Sequence, residues 1–251
     1  RKVPFGVTVA FSEPQTERFD LQSELHRLSV ETTRDRAEQM QSVSPCEPDL
    51  LTDLPCGWSE MYEKAWSDKE IGFQMRANAL QLSQVNLVAR KDRVLLEWDP
   101  EAEECGVLGI LWPQLIDAKI AFSEGGPEDL LSIARRERID LVLLRKRNDA
   151  VISKLTRRGI RHLILEGTSD EKIRTALIRQ GRVITYSMNH PDAETTTMMS
   201  QFGWKTGSYG KLLPGFSALE EDGVLKVNGP SLSEAEALSQ VTLASESFLE
   251  T

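Results

Sequence analysis

The spacing of apolar residues changes near residue 137, and this change constrains the fold more than any other feature of the sequence. Before it, apolar residues recur at helical spacing, most clearly over residues 71–90. After it, short β-type runs cover residues 139–144, 160–165 and 182–188. We therefore predict an α+β chain, in which a helical N-terminal region precedes a mixed α/β domain with a β-sheet and a long helix packed on it.

The first half of the chain is predicted to be helical throughout. Helices are expected up to about Met40, over residues 58–66 and 71–90, at residues 94–98 before Pro100, and from Pro127 to about Arg138. Pro127 suits the first helical position, and the acids that follow it, Glu128 and Asp129, complement the dipole of the helix N-terminus.

The second half is predicted to mix strands and helices. Its local signals predict a strand from Val151 and Ile152, a helix over 170–180 between Ser169 and Gly181, a helix from Asp192 toward Gln201, a β-hairpin over 219–226, and a last helix opened by Ser233 and Glu236. The hairpin prediction depends on Asp222 and Gly223, a pair that suits tight turns. Ser233 and Glu236 have the three-residue spacing of a capping box.

Three regions follow from these patterns. Residues 1–57 form an N-terminal flanking segment with a helix, residues 58–137 a helical middle region, and residues 138–251 an α+β domain. Residues 42–55 contain three prolines and are predicted to be a linker. The start of the chain has no initiator Met, which indicates a piece of a longer protein.

Positive charge is concentrated between Arg135 and Arg182. This stretch holds fourteen Lys or Arg and six Asp or Glu, so it carries +8, while the whole chain carries −9 and the remainder therefore −17. When positive charge is concentrated in one stretch in this way, that stretch can form a surface that binds anions on an otherwise acidic protein. The alternative is that these arginines are the solvated rims of ordinary helices and strands.

The composition excludes several kinds of site. No apolar run approaches the ~18 residues of a membrane span, so no membrane contact is predicted. The three cysteines have no CxxC spacing and the three histidines are far apart, which argues against a disulfide framework and a metal site. The glycine patterns of phosphate-binding and dinucleotide-binding loops are absent, and we predict no cofactor.

Two short motifs suggest a family. Residues 56–62 read Cys-Gly-Trp-Ser-Glu-Met-Tyr, and residues 175–179 read Thr-Ala-Leu-Ile-Arg. They resemble the Cys-Trp-Glu-Gln-Met-Tyr and Thr-Ala-Ile-Leu-Arg segments of the orthomyxovirus (influenza- and thogotovirus-like) RNA polymerase subunit called polymerase basic protein 2. Residues 127–136 are similar to the helix that closes the middle domain of that family, and residues 224–239 to its hairpin and acidic helix near the end of the cap-binding domain.

This resemblance implies the middle and cap-binding-like region of a viral RNA-dependent RNA polymerase subunit. The family takes capped leaders from host mRNA to prime viral transcription, which is called cap-snatching. The chain would bind those leaders, or act as a degenerate cap-binding-like structural domain with weak or no cap affinity, and would not be an enzyme. The implied partners are other viral polymerase subunits, viral or host capped RNA and nucleoprotein, and the implied locations are the host cell nucleus and the virion.

The same resemblance implies a pocket for the methylated guanine of the cap. A cationic base is held between aromatic rings, with an acid on its edge and basic side chains on its phosphates. Leu165 stands where the family has a stacking histidine. The implied contacts are Phe202 and Trp204 for stacking, Glu166, Asp170 and Glu171 for the guanine edge, and Arg157, Arg158, Arg161 and Lys172 for the phosphates.

Other interpretations remain open for these residues and for the chain. Phe202 also suits a core position, Glu166 and Asp170 suit a turn and a helix cap, and the arginines suit a charged strand edge. The whole chain could instead be a non-catalytic RNA-binding or protein-interaction module of another multisubunit assembly. Independent catalysis is not predicted, because Lys172 and the Glu166/Asp170 pair have no recognisable nucleophile and orienting partner.

Overall fold

The fold was analysed in a computed structural model. It describes residues 21–41, 49–84, 91–146, 148–164, 184–188, 198–199, 208–211, 213, 215–232, 236–238, 242–243 and 248–250. The elements, in chain order, are α1 (Leu21–Gln41), α2 (Trp58–Ser67), α3 (Ile71–Ser83), β1 (Arg93–Glu97), α4 (Glu103–Gly106), a π-helical turn (Val107–Leu111), α5 (Trp112–Leu115), β2 (Lys119–Ser123), α6 (Gly126–Arg136), β3 (Leu141–Leu144), α7 (Asp149–Arg157), β4 (Arg161–Ile164), β5 (Ile184–Met188), β6 (Met198–Met199), β7 (Ser208–Lys211), β8 (Ser217–Glu221), β9 (Val224–Asn228), β10 (Glu236–Leu238), β11 (Thr242–Leu243) and β12 (Phe248–Glu250).

A six-stranded sheet forms the centre of the fold, with the strand order β2-β1-β3-β4-β5-β6. The first five strands are parallel, and β6 pairs antiparallel with β5. Parallel neighbours require crossover connections, and helices supply them between β1 and β2, between β2 and β3, and between β3 and β4. The predicted mixture of helices and sheet is confirmed, in the form of an α/β layer structure.

Both faces of this sheet are buried. On one face, Leu95 and Val142 pack with residues of α6 and α7, such as Leu130 and Leu155. On the other face, alternate residues such as Val94 and Leu96 pack with α2, α3 and the helical segment from Glu103 to Leu115. Strands that are buried on two faces read as continuous apolar runs without alternation, as β1 and β3 do.

A buried arginine connects the three N-terminal helices. The Arg76 side chain has no exposed surface. Its Nε donates to the Ala37 carbonyl at 3.0 Å, and its Nη1 donates to the carbonyls of Ala65 and Trp66 at 2.9 and 3.0 Å. Burial lowers the pKa of the Arg76 guanidinium, although the charge of Asp68 acts in the opposite direction. These bonds give a hydrogen-bond donor to carbonyls of α1 and α2 that are buried at the helix junction and would otherwise lack a partner.

Two small antiparallel sheets, β10-β9-β8 and β11-β12-β7, follow the central sheet in the chain. The predicted hairpin is confirmed, because β8 and β9 pair across a two-residue turn in which Asp222 and Gly223 have φ of 53° and 74°. Leu225 and Val227 from β9 join the core that lies on the α3 side of the central sheet. Arg34 in α1 donates to the Leu232 carbonyl at 3.0 Å.

Several predicted elements are wrong. Residues 94–98 were expected to be helical but belong mostly to strand β1, and Val151 and Ile152 begin no strand because they lie in helix α7. Glu236 opens no helix: it begins the strand β10, which pairs antiparallel with the preceding strand β9, and this pairing overrides the local capping signal. β6 lies where a helix from Asp192 was expected. The helix predicted over residues 170–180 lies outside the described residues.

The first half of the chain is not purely helical, because β1 and β2 form one sheet with β3. The boundary predicted near residue 137 falls between α6 and β3, which are consecutive elements of this layer structure. None of the described helices is long and apolar enough to cross a membrane.

Candidate functional site

The carboxyl end of the central sheet contains a topological switch point. From β1, the chain continues to β2 on one side of the sheet and then to β3 on the other side of β1. In open α/β sheets, ligands bind in the crevice outside the carboxyl ends of the two strands where the order reverses. We call this region the carboxyl edge. It comprises residues 97–99 at the end of β1, 123–125 at the end of β2 and 145–146 directly after β3.

An arginine held by acidic residues occupies the switch point. The Arg145 backbone N–H donates to Glu97 Oε2 at 3.1 Å, which joins the ends of β1 and β3. Its guanidinium forms an ion pair with Asp99 and lies 3.5 Å, from Nε to Oε1, from Glu104. The Glu104 side chain is only 8% exposed, so this pair is screened less than a surface ion pair. Three carboxylates and one guanidinium leave the cluster with net negative charge.

A buried thiol lies beside this cluster. Cys105 Sγ accepts a hydrogen bond from the Asp99 backbone N–H at 3.4 Å. Burial raises the pKa of Cys105 to about 12. Because the thiolate is the reactive form of cysteine, Cys105 is a packing residue and not a nucleophile near neutral pH.

Residues 49–52 extend the sheet beyond β2. Ile120 donates to the Asp49 carbonyl at 2.9 Å, and Leu51 donates to the Ile120 carbonyl at 2.8 Å. Farther along, the Phe122 backbone N–H donates to Thr52 Oγ1 at 3.0 Å. This segment therefore follows β2 toward the carboxyl edge.

The chain that follows this segment is fixed to the carboxyl edge at Cys56. Trp98 Nε1 donates to the Cys56 carbonyl at 2.9 Å, and the Cys56 backbone N–H donates to Glu124 Oε1 at 2.6 Å. The Trp98 ring also contacts the rings of Trp58 and Phe122, with centroids 5.7 and 5.0 Å apart. Aromatic packing and hydrogen bonds together hold this edge rigid.

A cavity of about 630 Å³ opens between residues 50–55 and α6, and we call it the edge cavity. Its lining residues are Leu50, Leu51, Thr52, Asp53, Leu54, Pro55, Phe122, Glu124, Asp129, Ile133 and Arg136. Asp129 Oδ2 accepts hydrogen bonds from Ser123 Oγ at 2.8 Å and from the Gly125 backbone N–H at 3.3 Å. The volume is in the range of small-molecule sites, and the lining combines apolar side chains with acidic ones.

The residues proposed from the sequence as a cap pocket are not gathered at this edge. Arg157 and Arg158 are exposed at the end of α7. Arg161 opens β4 at the opposite, amino edge of the sheet, where it forms an ion pair with Asp92. The other proposed residues, Phe202, Trp204, Glu166, Asp170, Glu171 and Lys172, lie outside the described residues.

The single anion-facing surface expected from residues 135–182 is not formed by the cations that the structure describes. Arg145 and Arg161 lie at opposite edges of the sheet, and each is engaged by acidic residues. Lys154 pairs with Glu128, but both side chains are largely exposed, so this pair leaves the cation accessible. The basic residues that the structure describes are divided among several helix and strand ends, so the stretch as a whole does not form one surface.

The acids of the carboxyl edge were missed in the sequence. Asp99 and Glu104 follow β1, and Glu124 and Asp129 follow β2. Polar residues directly after apolar strands are the signal that could have identified them, but β1 was interpreted as a helix. No group of three or more His, Cys, Asp or Glu that could hold a metal ion occurs in the part of the chain that the structure describes.

Comparisons with known proteins give a consistent structural relationship. No protein-family model and no curated protein matches the sequence. Among solved structures, the N-terminal domain of FACL13 from Mycobacterium tuberculosis matches 70% of this chain and 55% of its own, with a TM-score of 0.57 and 10% identity. O-succinylbenzoate coenzyme A synthetase (MenE) from Bacillus subtilis, in complex with ATP and magnesium ion, matches 70% of this chain and 44% of its own, with a TM-score of 0.56 and 15% identity.

A third structure is the anthranilate CoA ligase AuaEII in complex with anthranoyl-AMP. It matches 71% of this chain and 42% of its own, with a TM-score of 0.57 and 10% identity. The chain therefore spans about half of the length of these matched structures. At such low identity, the likeness establishes the fold and nothing finer.

These matches overturn the viral interpretation. The resemblance to the orthomyxovirus polymerase subunit is wrong, and so are the cap-snatching function and the expectation of a non-enzyme, because the chain shares its fold with structures that include a coenzyme A synthetase and a CoA ligase. The alternative of a non-catalytic RNA-binding or protein-interaction module finds no support in this fold. The expected location in a host nucleus or virion is wrong as well, since the matched proteins of stated origin are bacterial. The partners predicted from the resemblance stay untested. The chain has the fold of the matched part of adenylate-forming ligases.

Proposed function

We propose that this chain is part of an adenylate-forming enzyme of the CoA-ligase type, which activates a carboxylic acid with ATP. The observation that carries the proposal is the match of about 70% of the chain to structures of this one class. The MenE structure is a complex with ATP and a magnesium ion, and the AuaEII structure is a complex with anthranoyl-AMP, an acyl-adenylate. The chain spans about half of the length of those proteins, and we propose that it carries the activation of the acid with ATP.

The carboxyl edge is the surface we assign to the ligand. Arg145 supplies a guanidinium at the switch point, and Asp99 and Glu104 hold it in position. A planar guanidinium suits the carboxylate and phosphate groups of an acyl-adenylate.

The edge cavity suits an uncharged part of the same ligand. Asp53, Glu124 and Asp129 make its lining acidic, and the guanidinium of Arg136 is paired with Glu137 at 2.6 Å. A phosphate in this cavity would be repelled, whereas a ring or chain that can donate hydrogen bonds would be accepted. We place the uncharged part of the ligand in the cavity and its anionic group on the Arg145 guanidinium, where it must displace Asp99 or Glu104, because three carboxylates already surround this one cation.

Carboxylate-dependent release of pyrophosphate tests this function. The purified chain is incubated with ATP, magnesium and single acids, namely anthranilate, o-succinylbenzoate and straight-chain fatty acids, and hydroxylamine traps any acyl-adenylate as a hydroxamate. We expect one class of acid to raise pyrophosphate release above the acid-free rate and to yield the matching hydroxamate. Release that is independent of every acid, with no hydroxamate and no binding of ATP to the folded chain, would contradict the proposal.

A further inference from the structure

We propose that a groove between α6 and α7 binds the phosphate group of a small molecule, at a site separate from the carboxyl edge. The groove has a volume of about 300 Å³. Its lining residues are Glu128, Leu131, Ser132, Arg135, Lys154 and Arg158. We call it the α6–α7 groove.

The lining residues of the groove form two facing stripes. On α6, residues 128, 131, 132 and 135 follow the three- and four-residue spacing of one helix face. On the other side, Lys154 lies in α7, and Arg158 follows one turn later at its end. Leu131 is buried and forms the apolar floor, so the polar ends of the other side chains surround an open space.

The charge of the groove is opposite to that of the chain. Three cations and one acid give it a net charge of +2, while the whole chain carries −9. Glu128 pairs with Lys154 at 3.2 Å, but both side chains are largely exposed, and such pairs contribute little. Arg135 and Arg158 are exposed and form no ion pair with the residues that the structure describes. Two guanidiniums that line one groove supply the charge and the hydrogen-bond donors that a phosphate requires.

Helix dipoles favour each of these cations, which lie in the last turns of α6 and α7 or directly after them, but they do not explain why the cations line one groove. Cations in the last turn of a helix are favourable wherever they lie around its circumference. Arg135 and Arg136 both lie in the last turn of α6, yet only Arg135 lines the groove, and Arg136 lines the edge cavity. Arg135, Lys154 and Arg158 all line the same groove, and we interpret this placement as a site that binds an anion.

The size of the groove favours a small molecule. Six residues from two helices enclose about 300 Å³, which accommodates one phosphate with a short organic group. A nucleic acid strand needs cations that follow several successive phosphates. Inorganic phosphate and a phosphomonoester both carry the phosphate group that the groove would bind. The experiment below distinguishes which of the two binds more tightly.

Titration calorimetry at constant ionic strength tests this site, with inorganic phosphate and phenyl phosphate as probes. Arg135→Gln and Arg158→Gln remove one guanidinium each, and the loss of a charge-assisted hydrogen bond should weaken binding by about 10-fold. Arg157→Gln is the matched control, because it removes the exposed charge next to Arg158 that does not line the groove, and it should leave the affinity within about 2-fold. Tighter binding of phenyl phosphate than of inorganic phosphate would identify an organic phosphate as the ligand, and equal binding would identify the free anion.

Three results would overturn the site. They are the absence of saturable binding up to tens of millimolar phosphate, an equal loss of affinity in Arg158→Gln and Arg157→Gln, and binding of single-stranded RNA that depends on Arg135 and Arg158 more strongly than phosphate binding does. Circular dichroism confirms that each variant is folded, and Arg135→Lys, which keeps the charge, should restore part of the affinity. The site does not depend on the ligase function, because acid-dependent pyrophosphate release is measured separately.

Discussion

Gly57 lies directly against Pro100: a Cβ atom placed on Gly57 would be 2.5 Å from the Cβ of Pro100. Gly57 also has a φ of 74°, in the left-handed region that glycine adopts readily and other residues rarely do. It precedes α2, whose first residue, Trp58, packs on Trp98 at the carboxyl edge. Both the backbone conformation and the available space therefore require glycine at this position.

Two single substitutions, Gly57→Ala and Gly223→Ala, distinguish the cost of the backbone conformation from the cost of the contact with Pro100. Gly223 has the same φ of 74°, but nothing lies within 4 Å of a Cβ atom placed there. We expect Gly223→Ala to cost about 1 kcal/mol from backbone strain alone, and Gly57→Ala to cost about 1–3 kcal/mol more from the contact with Pro100. Urea unfolding measures both, and equal losses of stability would show that Pro100 moves aside freely.

Asp68 connects α2 to α3 by accepting backbone hydrogen bonds. Its Oδ1 accepts from the N–H groups of Glu70 at 2.9 Å, Ile71 at 2.7 Å and Gly72 at 3.4 Å. Partial burial tends to raise the pKa of Asp68, but these three bonds and the nearby Lys64 charge together lower it below its ordinary value of 3.8. The carboxylate therefore stabilises the folded chain when it is ionised.

Asp68→Ala should destabilise the chain by about 1 kcal/mol near pH 7, as loss of a helix cap does. Asp68→Asn keeps an acceptor oxygen and should lose less. Because the pKa of Asp68 is lowered in the folded state, its contribution is fully present above pH 3.8 and is lost as the pH falls through the folded-state pKa. Chemical unfolding of the wild type and Asp68→Ala between pH 7 and pH 2.5 should show converging stabilities, and a constant difference would refute this role.

Cys105 should resist alkylation, whereas Cys56 should react. Cys56 is exposed, and Cys105 is buried, with burial raising its pKa to about 12. The folded chain holds the Cys105 proton more tightly than the unfolded chain does, so the stability from this group is present below pH 9 and is lost as the pH rises toward 12. Iodoacetamide at pH 8, followed by peptide mass spectrometry, should modify Cys56 first and Cys105 only in denaturant. Rapid modification of Cys105 in the folded chain would contradict its burial.

Some elements of the fold could be predicted from short-range signals. β3 is a short apolar run, and α6 begins with a proline and two acids. The hairpin turn at Asp222 is encoded by a local pair of residues with positive φ. In each case the signal lies within the element itself, and tertiary contacts reinforce it.

Other elements depended on contacts that a local pattern does not contain. β1 is buried on both faces, so its run of Val94, Leu95 and Leu96 shows no alternation that distinguishes a strand from a helix. α7 could have been recognised, because Asn148 accepts from the Val151 N–H as a helix cap and Leu155 follows Val151 at helical spacing. The starts of the parallel strands, at residues 93, 119, 141, 161 and 184, also have the regular spacing of βαβ units.

The carboxyl edge could not be predicted without this topology. Asp99 and Arg145 are far apart in the sequence, and only the pairing of β1 with β3 brings them into contact. The viral resemblance was based on short segments, each weak alone, in a shared order, and such segments do not determine a fold. Arg145 was visible in the sequence as one of many basic residues, but its acidic partners were not.

Binding of AMP to the folded chain tests the central claim most directly, namely that the carboxyl edge holds an adenylate. Arg145→Gln and Arg161→Gln form a matched pair, since each removes an arginine paired with an aspartate, at opposite edges of the sheet. Titration calorimetry should show saturable AMP binding by the wild type, about 10-fold or more weaker binding by Arg145→Gln, and unchanged binding by Arg161→Gln. No binding by the wild type, or equal weakening in both variants, would contradict the claim.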